Sequence, residues 1–203
     1  MIFLLFLIRS SFAMYDGTLV KSDDSKWRFV VSLHVSGHYY CTASAINDYF
    51  ALTAAHCLHE PVWEIKLTSI PGYLNYLDLN QITDPNLQNY IHNAIAKIQN
   101  DGYVPYDVND IGLVKVDRQF TETMRITYVW NSADTPMGTR CFYASFGEWL
   151  PDIRENSRGL RVKDTYTHTF EAYTNQLFTK DDEFHTKVTP VRAITYCVRY
   201  IND

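Results

Sequence analysis

Glycine is scarce in this 203-residue chain: there are eight, and none follows Gly159. From residue 160 onward no loop can be lined by glycines, which excludes a glycine-built cradle for a phosphate or an oxyanion there. No GxxxxGK pattern occurs, so a phosphate-binding loop of that kind is excluded throughout. No apolar run reaches the ~18 residues that a helical membrane span requires. Basic charge is not in excess either, with 18 Lys and Arg against 23 Asp and Glu and a net charge of -5. That balance leaves no broad positive footprint for nucleic acid or anionic lipid. Internal repeats and low-complexity tracts are lacking.

What is abundant is aromatic and β-branched. Fifteen tyrosines and eleven phenylalanines, with many Val, Ile and Thr, favour strands over helices. The length suits one large or two small domains with enough apolar content for a core. Ile2 to Ile8 is a compact apolar run, followed by Arg9-Ser10-Ser11-Phe12-Ala13. Ser11 and Ala13 have the small-residue spacing of a signal-peptidase site, which predicts a signal peptide over 1–13 and a secreted, extracellular product. Secretion would place Cys41, Cys57, Cys141 and Cys197 in an oxidising compartment, where pairing is expected.

Local patterns outline the mature chain. Trp27 to His34 reads as a strand with Phe29, Val31 and Leu33 on one face, and Gly37 marks the following turn. His38 to Cys41 opens a second strand, Asn47-Asp48 makes a turn, and Tyr49 to Thr53 forms a third. Pro61 to Leu67, Leu160 to Lys163 and Ala193 to Cys197 are further strand candidates. Pro85 to Ile98, with Leu87, Ile91, Ala94 and Ile98 in step, has helix-compatible spacing. The stretch from 118 to 135 is polar and reads as a crossover.

The chemistry gathers at Leu52-Thr53-Ala54-Ala55-His56-Cys57. A histidine acting as a base needs one ring nitrogen held and the other free, and two alanines before it allow close backbone packing. Downstream, Asn109-Asp110-Ile111-Gly112-Leu113 sets a carboxylate at the mouth of an apolar strand. Burying it alone would be costly, so a partner is implied, and the His56 imidazole is the natural one. The hexapeptide resembles the histidine motif of the trypsin/chymotrypsin-like serine proteases. Other stretches resemble the same family in order: Trp27 to His34 its "PWQVSL", Asp101-Gly102-Tyr103 with Asn109 to Val116 its "HPGY…NDIALLKL", and Thr139 to Gly147 its "CYVSGWG". The resemblance covers about residues 14–203.

The resemblance implies an all-β fold of two antiparallel Greek-key β-barrels, the first over 14–120 and a second, incomplete, over 121–203. It implies His56 as general base, Asp110 as the group that fixes its tautomer, and a Cys41–Cys57 disulfide. A loop of that size contributes about 3 kcal/mol through the unfolded state. It also implies protein or peptide substrates or partners and no cofactor; nothing speaks to oligomeric state. The chain departs from the family in several places. Met14-Tyr15-Asp16-Gly17 matches the usual mature N-terminus only at Gly17, and no basic residue directly precedes Met14. Thr42-Ala43 replaces two glycines, Ser145 stands where glycine is usual, and Phe146 where tryptophan is.

The nucleophile motif "GDSGGP" is absent. If Ile194 to Cys197 matches the family's "NMICAG", the chain stops just before the nucleophile loop. If Cys197 is instead the cysteine beyond the nucleophile, Val191 occupies the serine position, beside Pro190 and Arg192. On either placement the expectation is no peptidase activity for this chain, read as a fragment or an early-ending member of a secreted endopeptidase family. A non-catalytic homologue that binds or regulates other proteins is the alternative. His56, His59 and Glu60 lack both the HExxH order and a third ligand, so no metal is expected. Asp23-Asp24 and Asp181-Asp182-Glu183 read as solvated loops, and His34, His38, His92, His168 and His185 as strand or surface residues.

Overall fold

A computed structural model describes residues 17–21, 24–68, 78–104, 109–120, 140–146, 159–166 and 194–196. Residues 1–13, expected as a signal peptide, Met14-Tyr15-Asp16, Asp23, most of the 118–135 crossover, His168, Asp181-Asp182-Glu183, His185, Val191 and Cys197 lie outside those residues.

Six strands close into a barrel. In chain order they are β2 (Val30–Val35), β3 (His38–Ala45), β4 (Phe50–Thr53), β5 (Ile65–Thr68), β6 (Ile91–Gln99) and β7 (Gly112–Val116). Around the barrel the order is β2-β3-β4-β7-β6-β5, with β5 returning to pair with β2. β2, β3 and β4 thus form a meander; the chain then crosses to the far side of β2 and comes back through β5, β6 and β7. This crossover is the Greek-key arrangement. A closed ring leaves no sheet edge, so its backbone groups pair internally.

The barrel fills because alternate residues are apolar. Val31 and Leu33 of β2, Ile65 and Leu67 of β5, and Val114 and Val116 of β7 are wholly buried in one cluster. Small residues, Ala43, Ala45 and Ala51, line the β3–β4 side of it. The β2–β3 turn uses Ser36 (φ 51°) and Gly37 (φ 90°), left-handed values that a tight reversal demands and that glycine adopts without strain.

The helix expected over 85–98 is corrected. Only Pro85–Gln88 is helical, started by Asp84, whose side chain accepts from the Asn86 N–H. Residues 91–99 are β6, paired on one side with β5 and on the other with β7. The pairing slips between Ala94 and Ala96, a bulge that shifts the phase of the alternation. The helix-like spacing does not mark one buried face: Leu87 lies in the short helix, and Ile98 near the end of β6 is exposed.

Beside the barrel stands a four-stranded sheet, in the order β1-β9-β8-β10. Its strands are β1 (Thr18–Leu19), β8 (Arg140–Ser145), β9 (Arg161–Tyr166) and β10 (Ile194–Tyr196). The N-terminal β1 therefore joins this sheet and not the barrel, and the Gly17 carbonyl accepts from Arg161 at 2.6 Å. A second cluster, Trp27, Val30, Phe142, Ala144 and Phe146, welds sheet to barrel, with Trp27 edge-on to Phe142 at 5.3 Å between ring centres. Phe29 packs here and not with Val31 and Leu33, because it precedes β2 in a turn. Among the described residues no helix is long and apolar enough to cross a membrane.

Candidate active site

His56 sits in a single 3-10 turn, Ala55–Leu58, entered directly from β4 through Ala54. The turn lies against the start of β7, and the contact is close. A Cβ on Gly112 would come within 2.6 Å of Leu58 Cδ1, 3.1 Å of the Ile98 carbonyl oxygen and 3.4 Å of Ala55 Cα. Glycine at 112 and alanine at 55 are what let the two backbones approach.

Asp110 arrives from the other side, one residue after Asn109, whose φ of 58° turns the chain into β7. Asparagine tolerates that conformation, and its side chain donates to the Gly102 carbonyl at 3.0 Å. The structure brings His56 and Asp110 together across 54 positions of sequence, with His56 Nδ1 2.6 Å from Asp110 Oδ2. The other carboxylate oxygen, Oδ1, accepts from the His56 backbone N–H at 2.8 Å. One carboxylate thus holds both the ring and the main chain of the histidine. The side chains are 20% and 15% exposed, a half-sheltered setting in which Nδ1–H donates and Nε2 keeps its lone pair.

The disulfide joins Cys41 of β3 to Cys57 of the turn, with Cα atoms 6.2 Å apart. Two β6 side chains, which sequence reading did not single out, hold the same turn by its carbonyls. Gln99 Nε2 donates to the Ala55 oxygen at 2.7 Å, and Lys97 Nζ donates to those of Leu58 at 2.5 Å and Glu60 at 2.8 Å. A 3-10 turn leaves its last carbonyls without partners of its own, and an ammonium satisfies several of them at once. The only advance signal was alternation along β6, obscured by the bulge.

Thr42 and Ser145, each standing where glycine was expected, face one another. Their hydroxyls lie 3.3 Å apart at the junction of barrel and sheet. Thr42 Oγ1 also lies 3.0 Å from the Tyr39 hydroxyl and accepts from the Phe146 N–H at 3.3 Å. Burial pushes the Tyr39 phenol above its ordinary range. His59 is not brought to His56; its ring is tilted against Tyr103, 6.0 Å between centres. His34, read only as strand or surface, is wholly buried within β2. The side chain of Cys141 and all of Cys197 lie outside the described residues, so the two placements of Cys197 stay side by side.

A closed β-barrel joined to a second antiparallel sheet, with an Asp-held histidine on the turn after its third strand, defines the chymotrypsin-like class of fold. A family model described as Trypsin matches residues 19–200, and the chain belongs to that family of serine proteases. Granzyme M of Rattus norvegicus is 30% identical over 123 residues, which is 59% of this chain and 45% of that protein. Serine protease 1 of Rattus norvegicus is 28% identical over 138 residues, 67% of this chain and 51% of the relative. The chain thus spans about half the length of the curated relatives it matches. Among solved structures, human heparin binding protein is similar with a TM-score of 0.61 at 19% identity, covering 78% of this chain and 68% of that one. A mutant of the same human protein gives 0.58 at 20% identity, covering 75% and 64%. At such identities the likeness speaks for the fold.

Proposed function

We propose that this chain carries the base half of a serine-protease active site, His56 as proton acceptor and Asp110 as its orienter, without a nucleophile to serve. In the family's chemistry a serine hydroxyl gives its proton to the histidine as it attacks the carbonyl, while backbone N–H groups stabilise the oxyanion. The pairing of His56 Nδ1 with Asp110 is the observation that carries the first part, since it fixes the tautomer whose free Nε2 accepts a proton. The absence of any glycine after Gly159 supports the second, because no glycine-lined loop can form there to present a serine and its oxyanion donors. On this reading the 203 residues by themselves hydrolyse no peptide bonds. A longer chain that supplied the missing loop would act on proteins or peptides.

The test is labelling and turnover together. The purified chain should resist a fluorophosphonate probe and leave peptide esters intact at pH 8. Covalent labelling, or ester hydrolysis abolished by His56→Ala, would overturn the reading. Domains are assigned in the same proposal as 14–120 and 121–203, following a signal peptide over 1–13 that sends the product out of the cell.

One observation favours a second reading, a non-catalytic homologue that binds other proteins. Thr42 and Ser145 fill space left open by glycines in the family, and they bind each other across the junction. Such a substituted pair makes a fixed scaffold at the place where the family keeps backbone bare. The net charge of -5 argues against carrying over to this chain the polyanion after which its structural neighbour is called heparin binding protein. A pull-down with immobilised chain that recovers one protein stoichiometrically, with and without His56→Ala, separates this reading from the first.

A further inference from the structure

The two sulfurs of Cys41 and Cys57 and a ring nitrogen of His56 form a cluster in which the three donor atoms all lie within 4.8 Å of one another. As a disulfide the sulfurs are poor ligands; as thiolates they are among the best for a soft or borderline cation. We propose that opening the Cys41–Cys57 bond converts this cluster into a Cys2His site for zinc or a similar divalent ion. Metal binding there would occupy His56 and withdraw it from any other role.

Four features carry the idea. A tetrahedral zinc with bonds of about 2.3 Å to sulfur and 2.0 Å to nitrogen needs donors roughly 3.5–3.8 Å apart. From a cluster no wider than 4.8 Å, side-chain rotation of roughly 1 Å reaches that spacing once the sulfurs part. The backbone around the cysteines has ties besides the S–S bond. Thr53 Oγ1 donates to the Thr42 carbonyl, while Gln99 and Lys97 hold the turn by its oxygens. These ties should keep the two Cα atoms near their present 6.2 Å.

The third feature is the histidine's second partner. Metal-bound histidines commonly donate their other N–H to a carboxylate, which fixes the ring and raises its basicity. Asp110 Oδ2 at 2.6 Å from Nδ1 would supply that contact to a ring whose Nε2 took the metal. Fourth, Cys41 and His56 are both partly exposed, which gives an ion a way in, while Cys57 is buried. Three protein ligands leave one position for water or for an anionic group of a ligand.

The redox step balances with an external dithiol. Its thiolate attacks one sulfur of the Cys41–Cys57 bond, the other sulfur leaves as thiolate, and the second external thiol closes a new disulfide and releases the protein sulfur. Two electrons enter the protein, and zinc then takes the place of the two thiol protons. Nothing in this depends on the missing nucleophile.

The experiment uses the full chain carrying Cys141→Ser and Cys197→Ser, so that only Cys41 and Cys57 respond. Reduction is with a trialkylphosphine, which is oxidised to its oxide with oxygen from water and competes little for metal. Cobalt(II) is then titrated in, and zinc used to displace it. Expected is one equivalent bound, with thiolate-to-cobalt charge-transfer bands and a tetrahedral visible spectrum, only after reduction. His56→Ala should weaken binding and change the ligand field, and Asp110→Asn should weaken it by about tenfold or more. If the reduced chain loses its near-UV circular dichroism, zinc should restore it. Equal binding before and after reduction, indifference to both substitutions, or a reduced chain that zinc fails to refold would each overturn the proposal.

Discussion

Acid should destabilise this barrel sooner than its carboxylates alone would, because of His34. The ring is wholly buried in β2. Its Nδ1 lies 3.3 Å from the Gly37 carbonyl, so it donates there, and Nε2 lies 3.0 Å from Ser32 Oγ. The single hydroxyl hydrogen of Ser32 has two acceptors in reach, Nε2 and, at 3.3 Å, the Thr68 carbonyl. The nearer one is the imidazole, and the neutral ring is satisfied at both nitrogens. Burial lowers its pKa to about 4; the Gly37 bond and Asp78 push the other way, while His38 and Lys66 add to the lowering. Desolvation wins because the charged ring has lost its water.

The sign follows from which state takes the proton. Between pH 6.5 and about 4 the unfolded chain binds a proton at this site that the folded one refuses. Stability is therefore full above pH 6.5, falls as pH drops through that value, and levels off below about 4, a total of about 3 kcal/mol. Between pH 7 and 5.5, before most carboxylates titrate, the expected loss is about 1 kcal/mol. His92, also buried and also lowered mainly by burial, adds in the same direction. Urea unfolding followed by tryptophan fluorescence at pH 7.0, 6.25 and 5.5 reads the slope, in the native chain, in His34→Gln and in His92→Gln. The His34→Gln slope should be the shallower by most of that 1 kcal/mol. Identical slopes in native and His34→Gln chains, or stability that rises on acidification, would refute the reasoning.

Other consequences are local. Gly112→Ala forces a Cβ into Leu58 and the Ile98 carbonyl, and should cost about 1–3 kcal/mol in thermal or urea unfolding. Ser44→Ala should be neutral or stabilising by up to about 1 kcal/mol, since among the described residues its buried hydroxyl has no hydrogen-bond partner. A double-mutant cycle of Thr42→Ala and Ser145→Ala should show coupling of about 0.5 kcal/mol or more in unfolding free energy, against zero if the two hydroxyls act independently.

Short stretches of sequence held the chemistry of this chain. Thr53 to Cys57 and Asn109-Asp110 carry it in consecutive residues, because a turn that seats a histidine and a strand mouth that seats a carboxylate are local structures. The missing glycines after 159 are equally local. Register is not. Whether residues 91–98 coil or extend was settled by strands on both sides and by a bulge that shifted the phase of the burial pattern. Only that pairing set Lys97 and Gln99 beneath the His56 turn, 39 and 44 positions from the carbonyls they hold. Thr42 and Ser145, 103 apart, read as two separate losses of glycine until the packing of sheet on barrel made them one contact. His34 looked like any histidine in a strand; the closing of the ring around it removed its water and so decided its charge. Residue types determine which groups are present and which are missing. Their distances and desolvation arise only when segments far apart in the chain are packed against one another.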